Sequence, residues 1–145
     1  MATIRSLALC AVCALSAIAF GACSSSDGKS VDVAVADFSI KPAETSVAAG
    51  DVKFKVRNSG TFVHELVVVK LPDASDVPTK PNGEANEDAI PAAQQIGEVE
   101  DVKPDTTKTL KLDLAAGKYV LLCNRVDGTK IHFKEGMHAD FTVTS

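Results

Sequence analysis

Residues 118–143 read Lys-Tyr-Val-Leu-Leu-Cys-Asn-Arg-Val-Asp-Gly-Thr-Lys-Ile-His-Phe-Lys-Glu-Gly-Met-His-Ala-Asp-Phe-Thr-Val. An apolar run leads into Cys123 and an alternating apolar–polar run follows Met137, and both patterns are typical of β-strands. The loop between them holds a thiol, an imidazole and a thioether, on Cys123, His132 and Met137. This stretch therefore predicts two neighbouring strands joined by a loop that carries three soft metal ligands.

The chain from Val31 onward has the same period of two. Apolar residues alternate over 31–40, which predicts a first strand that ends before Pro42, and they alternate again over 107–114. Residues 62–71 are nearly all apolar, as in a strand that is covered on both faces. No stretch has a sustained helical period. The pattern predicts an all-β fold, an antiparallel Greek-key β-sandwich of about seven or eight strands.

The N-terminus has the features of an export signal. The apolar run over residues 7–20, about 14 residues long, is too short to span a membrane and fits the hydrophobic region of a signal peptide. Small residues precede Cys23 and a polar stretch follows it, a pattern that resembles bacterial lipoproteins. We predict a signal peptide at 1–22, a flexible linker at 23–30 with a lipid on Cys23, and one folded domain at 31–145. The protein would then be exported and lipid-anchored to the cell membrane, facing the periplasm or the extracellular space. The alternative is plain cleavage near the same position, which would release a soluble secreted domain.

Export limits what the four cysteines can do. Cys10 and Cys13 leave with the signal peptide and Cys23 carries the lipid, so Cys123 is the thiol left in the folded domain. An unpaired thiol in an oxidising compartment is open to oxidation, and a bound metal would protect it. The alternative is a buried and inert cysteine.

The charge of the mature chain narrows the choice of partners. Loss of Arg5 with the signal peptide reduces the 15 basic residues to 14, against 19 acidic ones, so the net charge moves from −4 to −5. This argues against binding of nucleic acid and against electrostatic adhesion to anionic lipid, and it allows a basic protein partner. The acidic loop at 73–101 either docks such a partner or is a solvated face.

A second imidazole lies far from the ligand loop. Among the three histidines, His64 stands at the head of the most apolar strand, while His132 and His138 flank Met137. A lone histidine at a strand end is more often structural, but two imidazoles, a thiolate and a weak axial thioether together define a blue-copper site. Thiolate and thioether favour Cu(I) and imidazole serves both oxidation states, so such a site changes little when an electron arrives or leaves.

On these residues the chain resembles the cupredoxins, the family of plastocyanin and azurin. The resemblance covers residues 31–145, and its motifs are Asn58-Ser-Gly-Thr-Phe-Val-His64-Glu, Ala116-Gly-Lys-Tyr-Val-Leu-Leu-Cys123-Asn, His132-Phe-Lys-Glu-Gly-Met137 and Phe141-Thr-Val. It implies that His64, Cys123 and His132 are equatorial ligands and Met137 the axial ligand of one type 1 copper ion. It also implies an eight-stranded sandwich and single-electron transfer with a redox partner protein, such as a cytochrome or an oxidase.

The interval between Cys123 and His132 departs from the family pattern. Eight residues, 124–131, replace the shorter interval of plastocyanin-like or azurin-like proteins. Asp127-Gly128 reads as a tight turn, so we expect the extra length to bulge outwards without displacing His132.

Four neighbours of the ligands have roles that the sequence leaves less defined. Glu65 and Asn124 directly follow two ligands and either fix the ligand loop and orient an imidazole or are ordinary polar residues. His138 should face away from the metal if Met137 faces it, because adjacent residues of an extended segment point to opposite sides. Tyr119 is expected to be the corner tyrosine of a Greek-key fold.

These observations predict a monomeric, membrane-anchored carrier of single electrons that works outside the cytoplasmic membrane. We expect no enzymatic activity, since a closed copper site without a second metal cluster leaves no place for a substrate. The alternative with the same ligands is a copper carrier, storage protein or sensor, for which a Met-rich surface is expected; without Met1 the chain retains Met137 alone. A metal-free adhesion sandwich would require all the ligand-type residues to be unrelated, and the methionine ligand disfavours zinc.

Overall fold

Alternating apolar residues form most of the strands. A computed structural model describes residues 28–145, which contain eleven strands: β1 Lys29–Ala36, β2 Ser39–Pro42, β3 Ser46–Ala48, β4 Gly50–Asn58, β5 His64–Val69, β6 Gln95–Val102, β7 Thr107–Leu114, β8 Gly117–Leu122, β9 Val126–Asp127, β10 Lys130–Ile131 and β11 His138–Thr144. Short 3-10 turns at Ala74–Asp76, Glu87–Ala89 and Ala92–Gln94 lie between β5 and β6. The predicted signal peptide and lipid site at Cys23 lie outside the described residues. No helix in the described part is long and apolar enough to cross a membrane.

Two sheets pack face to face. The first has the strand order β2-β1-β4-β7 and the second the order β3-β11-β8-β5-β6, while β9 and β10 form a separate two-stranded ribbon. The predicted all-β sandwich is confirmed. In the described sheets β1 runs parallel to β4, and β3 runs parallel to β11; the other pairs are antiparallel. The expectation of a purely antiparallel fold is wrong for those two pairs, because the chain crosses to the second sheet as β3 before it returns as β4.

The first predicted strand is in fact two strands. Phe38 has a φ of 62°, a left-handed backbone conformation that interrupts the ladder. After this break β2 folds back on β1, with Ser39 opposite Ala36 and Ile40 opposite Val35. The break and the small ribbon raise the number of strands above the seven or eight that we predicted, and the break turns Asp37 and Phe38 towards the start of β5.

The main core lies between the two sheets. The buried rings of Phe54 and Phe141 meet edge to face, with their centroids 5.4 Å apart. Tyr119 is also fully buried, and its hydroxyl donates a hydrogen bond to the carbonyl oxygen of Ala115 at 2.6 Å. This bond confirms the predicted corner tyrosine.

A second apolar cluster lies on the outer face of the second sheet. The segment 70–94 covers that face, and the cluster contains Val67, Val69, Leu71, Val77, Ala85, Ile90, Val120, Leu122 and Phe133. The apolar residues of β5 are therefore buried on both faces of the sheet, as the apolar run 62–71 predicted. The acidic region 73–101 is partly packed rather than a free loop, and it ends in β6.

Candidate metal centre

Four ligand-type side chains come from one end of the second sheet and its loop. His64 opens β5, and Cys123 directly follows β8, the neighbour of β5. Met137 directly precedes β11, which pairs with β8 on its other side. The Cys123 amide donates to the carbonyl oxygen of Met137 at 3.1 Å, and the Met137 amide donates to that of His132 at 3.0 Å. The ends of the 123–137 segment are thus fixed by the sheet and by these backbone bonds.

Three donor atoms form a small triangle. Nδ1 of His64 and Nδ1 of His132 are 3.2 Å apart, and Cys123 Sγ lies 3.9 Å from the first and 3.4 Å from the second. The point equidistant from the three atoms is about 2 Å from each, which is the length of a metal–imidazole bond. Met137 lies in the same core cluster as Cys123, and none of the four residues has solvent-exposed surface.

A carboxylate at the far side of each ring fits a bound cation. Asp37 Oδ1 lies 3.3 Å from Nε2 of His64, and Asp127 Oδ2 lies 2.9 Å from Nε2 of His132. A carboxylate at Nε2 holds the proton on that nitrogen, so the Nδ1 lone pairs of both neutral rings point into the triangle. Two lone pairs at 3.2 Å repel each other unless a cation lies between them. Two imidazoles, a thiol and a thioether are the donor set of type 1 copper sites.

Burial sets the protonation state of the donors. Burial lowers the pKa of His64, and the neighbouring His132 lowers it further; burial also lowers the pKa of His132. Both rings are therefore in the neutral, metal-binding form at neutral pH. Burial raises the pKa of the Cys123 thiol from 9.0 to about 11, so the thiol keeps its proton until a metal ion displaces it.

The turn that precedes His64 is built on Asn58. The side-chain amide of this buried residue donates to the carbonyl oxygens of Phe62 at 2.7 Å and Val102 at 2.8 Å. Its Oδ1 accepts from the Gly60 amide at 2.8 Å. The turn signal at 58–60 therefore fixes the backbone from which β5 and His64 begin.

Asp37 reaches the same turn from the end of β1. Its carboxylate accepts hydrogen bonds from the Thr61 amide at 2.8 Å, the Thr61 hydroxyl at 2.7 Å and the Phe62 amide at 3.2 Å. Burial alone would raise the pKa of Asp37, but these bonds outweigh it and lower the pKa to about 2. The charged carboxylate is thus held in place to accept the Nε2 proton of His64.

The insert at 124–131 forms a hairpin. β9 and β10 pair with Asp127 opposite Lys130, and Gly128 has a φ of 60°, so the predicted tight turn at Asp127-Gly128 is confirmed. His132 keeps its place in the triangle, as we expected. The hairpin also brings Asp127 back onto the imidazole, a contact that the expectation of an outward bulge did not include.

The ring of His132 is enclosed by side chains. Phe38 and Phe62 meet it edge to face, with centroid distances of 5.4 Å and 5.8 Å. The ammonium group of Lys130 lies 5.7 Å from the centroid of Phe38, so the hairpin also contacts this aromatic wall. The enclosure leaves no part of the imidazole exposed.

Glu65 and Asn124, the two polar residues that follow ligands, contact each other. Glu65 Oε1 accepts from the Asn124 amide at 2.8 Å, which ties β5 to the residue after Cys123. The Asn124 side chain donates to the Ala85 carbonyl oxygen at 2.9 Å and to Glu87 Oε1 at 2.8 Å, and it accepts from the Ala85 amide at 2.8 Å. Asn124 therefore connects the ligand segment to the covering segment 70–94.

His138 lies outside the triangle of donor atoms. It is the first residue of β11, opposite Leu122, and it is half-buried. Its ring packs on Phe133 of the outer cluster, with the centroids 5.3 Å apart. The structure therefore does not bring His138 together with the other two histidines.

Sequence reasoning missed Asp37 and Asp127. Asp37 gave no local signal, because it lies 27 residues from His64 and reaches it only through the break at Phe38. For Asp127 the sequence predicts a place in a tight turn and no contact with a ligand. The available signal was its place in a turn between two ligands, where a short polar side chain can fold back onto either one.

The comparisons with known proteins agree with this geometry. A family model described as "Cupredoxin-like domain" matches residues 5–137. A search of curated proteins gave no match.

Solved structures share the fold. A dithionite-reduced auracyanin from Roseiflexus castenholzii has a TM-score of 0.61 and 22% identity, with 81% of this chain and 98% of that chain covered. Auracyanin A, a "blue" copper protein from Chloroflexus aurantiacus, has a TM-score of 0.52 and 19% identity, with 79% and 99% covered. Rusticyanin from Thiobacillus ferrooxidans has a TM-score of 0.56 and 18% identity, with 81% and 79% covered. At these identities the likeness shows the fold alone.

The family match and the donor set both indicate copper as the cofactor. His64, Cys123, His132 and Met137 form a candidate type 1 copper site, and the prediction of copper as the cofactor is confirmed.

Proposed function

This chain belongs to the cupredoxin-like family, and from that premise we propose that it is a type 1 copper protein that carries single electrons. His64, Cys123 and His132 are the proposed equatorial ligands and Met137 is the proposed axial ligand. The carrier would work as a monomer outside the cytoplasmic membrane, anchored by a lipid on Cys23, and exchange electrons with a redox partner protein. It would have no enzymatic activity of its own.

The triangle of His64 Nδ1, Cys123 Sγ and His132 Nδ1, with sides of 3.2, 3.4 and 3.9 Å, carries the proposal. Copper bound there supplies a one-electron couple between Cu(II) and Cu(I). The chain contributes rigidity, because Cys123 and Met137 stand at the ends of β8 and β11 and the loop between them is closed by backbone hydrogen bonds. A site held in this way needs little rearrangement when its charge changes by one.

The enclosure of the site also supports electron carriage. The four proposed ligands have no exposed surface, and Phe38 and Phe62 pack against the His132 ring. An electron can cross this thin cover, whereas a substrate molecule or a metal-accepting protein could reach the ligands only after the cover moved. Delivery of copper to a partner is therefore the weaker of the two functions for these residues.

Copper loading tests the proposal. Purified protein is mixed with Cu(II) and its visible absorption is recorded, and we expect an intense thiolate-to-copper band. One electron equivalent of reductant per copper should bleach the band, and reoxidation should restore it. Cys123→Ser should abolish the band, because it removes the thiolate. Glu135→Gln, which neutralises an exposed carboxylate in the same loop, should retain it.

Two outcomes would contradict electron carriage. Copper bound without the visible band would favour storage, sensing or transport of copper by the same residues. A band that reductant bleaches irreversibly, with loss of copper, would favour delivery of the metal.

A further inference from the structure

We infer that Asp127 is a positioning residue for His132 and that its carboxylate lowers the reduction potential of the bound copper, an inference that rests on the proposed function. The residue belongs to the hairpin that occupies the interval between two proposed ligands. Neither the family match nor the ligand chemistry requires an acidic side chain at this place. The inference therefore concerns what this chain adds to the donor set.

The contact itself is the first observation. Asp127 Oδ2 lies 2.9 Å from His132 Nε2, and both atoms are buried although the Asp127 side chain as a whole is 34% exposed. The pair is a close polar contact, and within residues 28–145 neither atom makes an aligned hydrogen bond, either to the other or to a further group. The carboxylate oxygen at 2.9 Å is therefore the close polar neighbour of Nε2, and its removal would leave that buried nitrogen without this contact.

The hairpin is built to bring the carboxylate back to the ring. The His132 amide donates to the Arg125 carbonyl oxygen at 2.9 Å. This bond closes the base of the hairpin, and the turn at its tip lies over the His132 ring. Pairing of Asp127 with Lys130 and the left-handed Gly128 between them reverse the chain within two residues. Side chains at the turn thereby fold over His132 instead of extending into solvent.

Two phenylalanine rings and the positive charge of Arg125 also act on the imidazole. Phe38 and Phe62 pack edge to face against His132 and provide no charge. The Asp127 carboxylate is accordingly the anionic group at the far nitrogen, as Asp37 is for His64. Both imidazoles then have a carboxylate partner that fixes the ring orientation and the position of the proton.

An anion at Nε2 affects the two oxidation states of the metal unequally. It makes the imidazole a stronger electron donor, and it places a negative charge near the metal on the far side of the ring. Both effects favour the more positive oxidation state, because Coulomb attraction grows with the charge on the ion. Removal of the charge with retention of the shape should therefore raise the reduction potential.

Asp127→Asn tests the inference in the copper-loaded protein, with Glu135→Gln as the matched control in the same loop. We expect the Asn variant to keep the visible band. We also expect it to increase the ratio of the Cu(I) to the Cu(II) binding constant at least tenfold, which corresponds to a rise of about 59 mV in the reduction potential of a one-electron couple. The control should keep the wild-type potential. An Asn variant with the wild-type potential would overturn the inference, as would an equal rise in the control.

A measurement on the metal-free protein separates this inference from the proposed function. Nitrogen-15 NMR of the His132 ring should show the proton on Nε2 in the wild type and a mixture of tautomers in Asp127→Asn. A wild-type protein without the visible band would refute the proposed function, and the tautomer comparison would still decide whether Asp127 positions His132. Identical tautomer populations in the two proteins would refute the positioning role. Should the Asn variant fail to fold, Asp127→Ser removes the same charge with a smaller side chain.

Discussion

Gly60 lies where the carboxylate of Asp37 crosses the turn before His64. A Cβ at residue 60 would collide with that carboxylate and would lie 2.7 Å from the backbone nitrogen of Asp37. Gly60→Ala should therefore push Asp37 away from the turn and lower the free energy of unfolding by about 1–3 kcal/mol. Denaturant unfolding of the metal-free protein measures the loss.

Ser59→Ala is the control for this change, because it alters a neighbouring residue of the same turn without adding volume. Its hydroxyl makes one long hydrogen bond, 3.4 Å to the carbonyl oxygen of Val35. We expect the control to lie within about 0.5 kcal/mol of the wild type. Equal stability of the two variants would mean that the turn relaxes around the added methyl group.

The sequence identified the four proposed ligands but not the carboxylates behind them. Cys123, His132 and Met137 were recognisable because soft ligands are rare in this chain and three of them fall in one loop. His64 could be added because it heads the most apolar strand. The carboxylates of Asp37 and Asp127 carry no such signal, since acidic residues are common and their contacts arise only when the chain folds.

At the scale of elements, Asn124 links the end of β8 to the covering segment 70–94. Its side chain satisfies both backbone groups of the buried residue Ala85 and also contacts Glu87. Asn124→Ala would leave the Ala85 amide and carbonyl oxygen without these partners. We expect a loss of about 1–3 kcal/mol in the free energy of unfolding and faster hydrogen exchange across 70–94.

The matched control is Asn82→Ala, in the same covering segment. Asn82 is exposed, and among the described residues its side chain bonds to Glu84, within its own turn. Its replacement should change stability by about 0.5 kcal/mol or less. If hydrogen exchange across 70–94 rises equally in both variants, Asn124 is not what holds the segment to the sheet.

Sequence periodicity predicted the strands better than their arrangement. Alternation located β4, β7 and β11 because each has one buried and one solvated face. It could not reveal that Phe38 divides the first predicted strand, since a positive φ at phenylalanine has no signature in composition. Nor could it give the direction of the pairs β1–β4 and β3–β11, because a strand has the same alternation whichever way its neighbour runs.

For the whole molecule, the proposed anchor decides where the domain works. β1 begins at Lys29, six residues after Cys23, so a lipid on Cys23 would hold the sandwich close to the membrane surface. We expect the wild-type protein to fractionate with membranes and Cys23→Ser to be found in the soluble fraction with its copper band unchanged. Mass spectrometry of the mature N-terminus measures the lipid directly, and an unmodified Cys23 in a membrane-free protein would contradict the anchor.

The pairing of β8 with β11 has a consequence for how such proteins can diverge. The segment between them begins and ends on neighbouring strands, so its length can change while both sheets stay in place. The entropic cost of a longer loop grows only with the logarithm of its length, about 0.6 kcal/mol for each doubling. Insertions are thus tolerated at the position where they most directly alter the surroundings of one imidazole. A single scaffold can in this way acquire new electrochemical behaviour through a change in loop length, with no revision of its core.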